Sequence, residues 1–311
     1  MTSQLSTTTL TWKTDASAGP IPAHVHNSTT AMTGPRPIAL IFHAGGFVLG
    51  SSVMIPRSQI SYLAQRGFVI VVPEYRLCPQ VSLYEGPIQD AKDVLVWCRE
   101  ELPALLRQEN VEIEIDTTKV VAMGHSAGGH LALTTGTCPN PPLAILDFYS
   151  GKYFTDPHWT TPLPAFSQIP PSEPSHTDKI FQGPQSIASA PMFTAAGPNL
   201  SDPRCAWFIE QIKSGTSMSS IVPDGDYTRI DATSSFSGKF PPTYFLHGKK
   251  DVFVPYGLSV RTHEALKALG VETELIMPDE IGHAFDLQIS EEAKEFKEWV
   301  VPALDWLVGH V

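Results

Sequence analysis

Residues 119–137 read KVVAMGHSAGGHLALTTGT: a β-branched run, a glycine-bounded turn, then an alanine- and leucine-rich stretch. The first part suits a buried strand and the last a helix, so Gly124-His125-Ser126-Ala127-Gly128 falls on a strand-to-helix turn. A serine on so tight a turn needs neighbours without side-chain bulk, and the helix start behind it favours developing negative charge. Ser126 is therefore the candidate nucleophile, and its setting predicts an α/β architecture.

The same alternation extends outward. Residues 37–43 (PIALIFH) and 68–73 (FVIVVP) are continuous apolar runs of the kind buried on both faces of a parallel sheet. A helix is expected between them at 56–66. Residues 85–108 place Ile88, Ala91, Leu95, Cys98 and Leu102 at three- and four-residue steps, which predicts one long amphipathic helix. Strands are expected at 119–123 and 142–149 with a helix at 127–137 between them, and 7–13 with 21–25 read as a leading antiparallel pair. This succession predicts a mostly parallel central sheet with helices on both faces.

The pattern breaks over 151–239, which holds 11 of the 28 prolines and one clear helix, at 202–214. A structureless loop of that length is uncommon inside a compact domain, so the stretch is expected to fold over the core as an inserted lid. Regular alternation resumes with strands at 242–247 and 272–277 and helices at 255–269 and 290–308. The catalytic core is thus expected to comprise 1–150 and 240–311, split by a lid at 151–239.

Acidic residues number 32 against 21 basic ones, for a net charge of −11, with no Lys/Arg cluster. Such a field repels phosphate backbones, so nucleic acid is not an expected partner. A composition of 42% hydrophobic and 17% charged residues supplies a large buried core. The opening MTSQLSTTTLTWKTD has neither a basic nor an apolar leader pattern, and no run approaches the ~20 apolar residues of a membrane span. A soluble, cytoplasmic protein is expected. Cys78, Cys98, Cys138 and Cys205 lie far apart with no CxxC pair, which predicts reduced thiols rather than a zinc site or disulfides.

Three blocks carry a family resemblance: His43-Ala44-Gly45-Gly46-Phe47, Tyr75-Arg76-Leu77-Cys78-Pro79 and GHSAGG at 124–129. They resemble the HGGG, YRLAP and GDSAGG blocks of the hormone-sensitive-lipase-like esterases of the α/β-hydrolase superfamily. The resemblance spans about residues 37–150 well and the remainder more loosely. It implies the α/β-hydrolase fold and serine esterase chemistry. In that family the second and third glycines of HGGG, with the residue after the serine, offer backbone N–H groups to an oxyanion; the matching positions are Gly45, Gly46 and Ala127. Ala44 departs from the pattern at the first glycine, and a positive φ there would cost alanine about 1 kcal/mol.

A serine hydroxyl is a weak nucleophile near neutral pH, so a histidine held by a carboxylate must take its proton. The chain order in this fold is serine, acid, histidine. Asp251 lies four residues past the strand end at His247, and His283 sits in Gly282-His283-Ala284-Phe285, past the strand ending near Met277. Asp279, Glu280 and Asp147 are the competing acids. The other histidines take structural readings: His24 and His26 as surface residues of a strand, His125 and His130 as local partners of the turn, His43 and His247 as loop-positioning residues. Aromatic side chains including Phe154, Trp159, Phe166 and Phe208 gather around the inserted stretch, and Phe47, Tyr149 and Trp207 are the expected substrate-binding residues.

The expected function is cleavage of a carboxylic ester of a small apolar substrate through an acyl-enzyme, with no metal or organic cofactor. Three alternatives stay open. GHSAGGHLA is similar to the GHSAGAHLA stretch of kynurenine formamidases, which implies an amide hydrolase. RLCPQVSLYEGPIQDA at 76–91 resembles small fungal secondary-metabolite hydrolases, which implies a biosynthetic lactone or ester hydrolase, or a cyclase, acting on a polyketide-type metabolite. The fold also hosts binding modules without catalysis.

Overall fold

In the computed structural model, which describes residues 5–30, 32–287 and 289–311, the apolar runs become the strands of an eight-stranded sheet. The strands are β1 (Leu5–Asp15), β2 (Gly19–Ser28), β3 (Arg36–Phe42), β4 (Val69–Pro73), β5 (Ile115–His125) and β6 (Ile145–Phe148), then, after a separate hairpin of β7 (Phe193–Thr194) and β8 (Gly197–Pro198), β9 (Thr243–Leu246) and β10 (Thr273–Ile276). The spatial order is β1-β2-β4-β3-β5-β6-β9-β10. The β1–β2 and β2–β4 pairings are antiparallel and all later ones are parallel.

The helices are α1 (Arg57–Gln65), α2 (Gln89–Glu100), α3 (Leu102–Gln108), α4 (Ala127–Thr135), α5 (Pro174–Thr177), α6 (Pro203–Ser214), α7 (Tyr227–Ile230), α8 (Tyr256–Ala268) and α9 (Val301–Val308). Strand side chains alternate between the two faces. Ile38, Leu40 and Phe42 of β3 therefore pack into one apolar cluster with Val94 and Leu95 of α2 and Leu131 of α4. Ala39 and Ile41 pack into a second with Leu63 of α1 and Leu304 of α9. Helices thus cover both faces, as expected of continuous Val/Ile strands.

One expected helix is interrupted near a proline, and a second starts later than expected. Residues 85–108 form a π-helical turn (Tyr84–Ile88), α2 and α3, broken at Glu101. Pro103 has no N–H to donate to the carbonyl four residues back, and its ring crowds that carbonyl. Residues 290–308 become helical only from Lys294, a π-helical segment (Phe296–Val300) running without a break into α9, which has Pro302 in its first turn. The reading of the first residues as leaderless falls in part on 1–4, outside the described residues. Among the described residues no helix is long and apolar enough to cross a membrane.

β6 and β9 are adjacent and parallel, and the chain between them carries β7, β8, α5, α6, α7 and short 3-10 turns. Its apolar side chains Phe154, Phe166, Ile180, Ile209 and Met218 join the same cluster as β3 and α2, so this connection packs against the core. Asp202 caps α6 by accepting from the N–H groups of Arg204 and Cys205. Arg204, 7% exposed, donates to Val48 O at 3.2 Å, Cys78 O at 2.6 Å, Gln80 Oε1 at 2.6 Å and Ser186 Oγ at 2.7 Å, tying α6 to core loops at 48 and 78–80 and to Ser186 of its own connection. Arg204→Met keeps the aliphatic stem and removes those donors. It is expected to cost about 2–3 kcal/mol in denaturant unfolding and to speed proteolysis within 151–239. Unchanged stability and cleavage would show that the guanidinium does not hold α6 in place.

Candidate active site

The parallel strands β3, β5, β9 and β10 run the same way, so the loops after them meet at one edge of the sheet. Ser126 stands between β5 and α4 with φ 52° and ψ −120°, a conformation costly for a residue with a Cβ. Its N–H donates to Phe148 O at 2.8 Å, which pins the turn to β6. A Cβ on Gly124 would lie 2.1 Å from Gly128 O, and one on Gly128 would lie 2.1 Å from Phe42 O. Both flanking positions therefore exclude any side chain.

Ser126 Oγ lies 2.9 Å from His283 Nε2, and His283 Nδ1 lies 2.7 Å from Asp251 Oδ2. Asp251 Oδ1 accepts from the N–H groups of Phe253 at 2.8 Å and Val254 at 2.9 Å. Burial opposes ionisation of Asp251, but hydrogen bonds from His247 and His283 outweigh it and hold the carboxyl well below the usual carboxylate range. The competing acids lie elsewhere. Asp279 and Glu280 pair with Lys249 and Lys250 on the surface, and Asp147 pairs with buried Lys152 at 2.7 Å.

Gly45, Gly46 and Ala127 border the same cavity as Ser126, and their N–H groups have no acceptor among the described residues. Gly45 has φ 133°, and a Cβ on it would lie 1.9 Å from Leu49 O. Ala44 is not among the residues with positive φ, so the strain expected from its replacing glycine does not arise. Its carbonyl accepts from His43 Nδ1 at 2.7 Å.

The cavity has a volume of about 420 Å³. Its walls include Phe47, Phe154, Trp159, Met192, Phe193, Phe208, Met218 and Phe253, and no Lys, Arg, Asp or Glu is among the described lining residues. Of the three expected substrate-binding residues, Phe47 lines it and the other two do not. Tyr149 is fully buried behind His283, its ring 4.7 Å from the imidazole and its hydroxyl donating to Asp286. Trp207 packs on Phe181, whereas Phe208 and Ile212 of the same helix face the cavity. One helical step of 100° separates neighbours, and composition alone does not set that rotation.

Asp286 was not singled out in the sequence, yet it anchors the loop that carries His283. Fully buried, it accepts from the Tyr149 hydroxyl and from Gln59 Nε2 at 2.6 Å, and lies 3.0 Å from His125 Nε2. Burial opposes its ionisation; His125, Tyr149 and Gln59 overcome this and lower its pKa. His24 and His26 bond to Thr9 and Thr7 across β1 and β2, and burial lowers His26 to about 4. No cluster able to hold a metal occurs among the described residues.

A carboxylate whose folded pKa is depressed contributes stability above its unfolded pKa of about 4, and that contribution is lost as pH falls through the folded value. Asp286→Asn is expected to lower unfolding free energy at pH 7 by about 3 kcal/mol. Its denaturation midpoint should also decline less steeply than that of wild type as pH falls from about 5 to 3. Parallel pH slopes for the two proteins would rule out an ionised Asp286.

A family model described as alpha/beta hydrolase fold matches residues 39–138. The non-reducing polyketide synthase ausA of Emericella nidulans is 33% identical over 89% of this chain, and mapC of Penicillium brevicompactum is 36% identical over 89%. The chain spans 13% of the length of each of these synthases. Among solved structures, a butyrate-bound esterase from Thermogutta terrifontis superposes with a TM-score of 0.64 at 20% identity, over 97% of this chain and 94% of that one. A Staphylococcus aureus protein of unknown function superposes with a TM-score of 0.67 at 17% identity, over 93% and 95% of the two chains. The family-model match and these superpositions show that the chain has the α/β-hydrolase fold, with Ser126 on the turn between β5 and α4.

Proposed function

We propose that the chain is a serine hydrolase that cleaves a carboxylic ester of a small, uncharged, largely apolar substrate. The observation that carries this reading is the unbroken hydrogen-bond chain Ser126–His283–Asp251, which opens onto an apolar cavity shared with three unengaged amides. Ser126 Oγ attacks the ester carbonyl as its proton passes to His283 Nε2. Negative charge on the carbonyl oxygen is met by the N–H groups of Gly45, Gly46 and Ala127, donors already in place before the reaction. His283 returns the proton to the departing alcohol, and water, activated by the same imidazole, releases the acid. Asp251 keeps the Nδ1–H tautomer and stabilises the imidazolium. Side chains, backbone and water complete every step.

A fluorophosphonate probe is expected to label the wild type and to leave folded Ser126→Ala unlabelled. On a short p-nitrophenyl ester, kcat/KM of that variant should fall about 10⁴- to 10⁶-fold with little loss of thermal stability. A folded wild type that neither labels nor turns over would favour a binding module instead.

The similarity to non-reducing polyketide synthases, at 33–36% identity over 89% of the chain, supports a second reading of the acyl group. A polyketide-type ester or lactone suits aromatic walls, and its acyl-enzyme is resolved by water or by the substrate's own hydroxyl. An aromatic ester bearing a free hydroxyl should then exceed p-nitrophenyl butyrate in kcat/KM by at least about tenfold, with acid or lactone identified by mass spectrometry. Equal turnover of the two would leave only the general esterase. The uncharged walls give the zwitterion N-formylkynurenine no ionic partner, so the formamidase reading gains no support.

A further inference from the structure

Asp251 Oδ2 is shared by two histidines. Besides His283 Nδ1 at 2.7 Å, it lies 3.0 Å from Nε2 of His247, a fully buried residue at the end of β9. His247 Nε2 also lies 3.0 Å from Val254 O. Two acceptors, a carboxylate and a carbonyl, face this nitrogen, so it carries the proton and donates. The other ring nitrogen, Nδ1, is then a bare acceptor, and it lies 2.8 Å from Ser259 Oγ on α8. Ser259 must give it the hydroxyl proton. Ser259 Oγ in turn accepts from Lys152 Nζ at 3.0 Å. Around that Nζ stand three oxygens, Ser259 Oγ, Ser150 O at 2.8 Å and Asp147 Oδ2 at 2.7 Å, matching the three N–H bonds of an ammonium.

We infer that Lys152, Ser259 and His247 form a one-way donor chain that fills Asp251 from behind, making His247 a positioning residue that sets the basicity of His283. This rests on the catalytic reading proposed above. At each link one proton is directed toward Asp251, so the carboxylate meets His283 with part of its charge already compensated and its plane fixed. His247 must stay neutral to act this way, since a second imidazolium would compete with His283 for Oδ2. Burial lowers its pKa first, and the charge of Lys152 adds to that, against the opposing pull of Asp251 and Asp147. Asp231 is the remaining charged group acting on Lys152, and the neutral ring of Tyr149 packs edge-on to His247 at 6.5 Å. A role in packing alone would not require this matching of donors to acceptors across four side chains.

The sign of the effect follows. Removing the His247 donor leaves Asp251 less compensated, so its hold on protonated His283 strengthens. The acid limb of the kcat/KM profile should therefore move to higher pH in His247→Leu, by about 0.5–1 unit, a three- to tenfold loss at pH values below the wild-type limb. His247→Gln places an amide N–H near the position of Nε2 and should return the limb to within about 0.2 unit of wild type. Ser259→Ala should shift it in the same direction as leucine by a smaller amount, and it decides the matter if His247→Leu does not fold. Profiles are measured on a short p-nitrophenyl ester, with fluorophosphonate labelling and thermal unfolding run on each protein. A wild type without turnover or labelling would sink the catalytic reading itself. An active wild type whose limb is unmoved in the folded leucine and alanine variants, or shifted equally in leucine and glutamine, would overturn this inference and leave that reading standing.

Discussion

The contact on which this architecture depends is the approach of Gly128 to the end of β3. With any Cβ at that position lying 2.1 Å from Phe42 O and 2.6 Å from His43 O, only glycine lets the start of α4 reach the neighbouring strand. That approach brings the Ala127 amide beside the loop of Gly45 and Gly46. Two parts of the chain more than 75 residues apart thereby open their N–H groups into one cavity. The sharp turn at Ser126 is the other consequence of the same contact, because the chain must reverse from β5 into α4 within one residue. The Ser126 turn and the three unengaged amides are thus products of one backbone packing decision.

Around this contact the protein separates polar from apolar work by depth. The cavity walls carry no Lys, Arg, Asp or Glu among the described lining residues, while the side chains of Asp147, Asp251 and Asp286 are buried outside that lining. Each buried acid has partners: Lys152 for Asp147, His247 and His283 for Asp251, and His125, Tyr149 and Gln59 for Asp286. A buried carboxylate without such partners would protonate or unfold its surroundings. The exposed pairs Lys249–Asp279 and Lys250–Glu280 are of a different kind, screened by solvent and of little energetic consequence.

What the sequence made legible follows the same division. Short Val/Ile runs with glycine-bounded turns predict the parallel strands and the Ser126 turn, because those features depend on local sterics. Chain order and loop position then lead to Asp251 and His283, and the structure hydrogen-bonds Ser126 to His283 and His283 to Asp251. Less legible was whatever depends on helix rotation or on distant partners. Trp207 and Phe208 are adjacent aromatics, and only packing decides that Phe208 faces the cavity. Pro103, beside the break at Glu101, carries a local signal that the hydrophobic periodicity masks. Asp286 sits three residues past His283 with nothing nearby in sequence to mark it, since Gln59 and Tyr149 reach it from 227 and 137 residues away.

The buried polar network also bears on backbone strain. Phe47, Ser126, Tyr149, Tyr153 and Ala284 all have positive φ without being glycine, and Phe47, Ser126 and Ala284 line the cavity. Each such residue costs on the order of 1–3 kcal/mol and persists only where its surroundings over-determine it. Tyr149 is held by Asp286, which lies two residues beyond the strained Ala284 and three beyond His283. The hydrogen bonds that keep the acid ionised therefore also keep two strained turns in place on either side of the imidazole. Charge compensation and conformational restraint at this site are one set of contacts, which is why a buried aspartate outside the cavity lining can matter as much as a residue of the cavity wall.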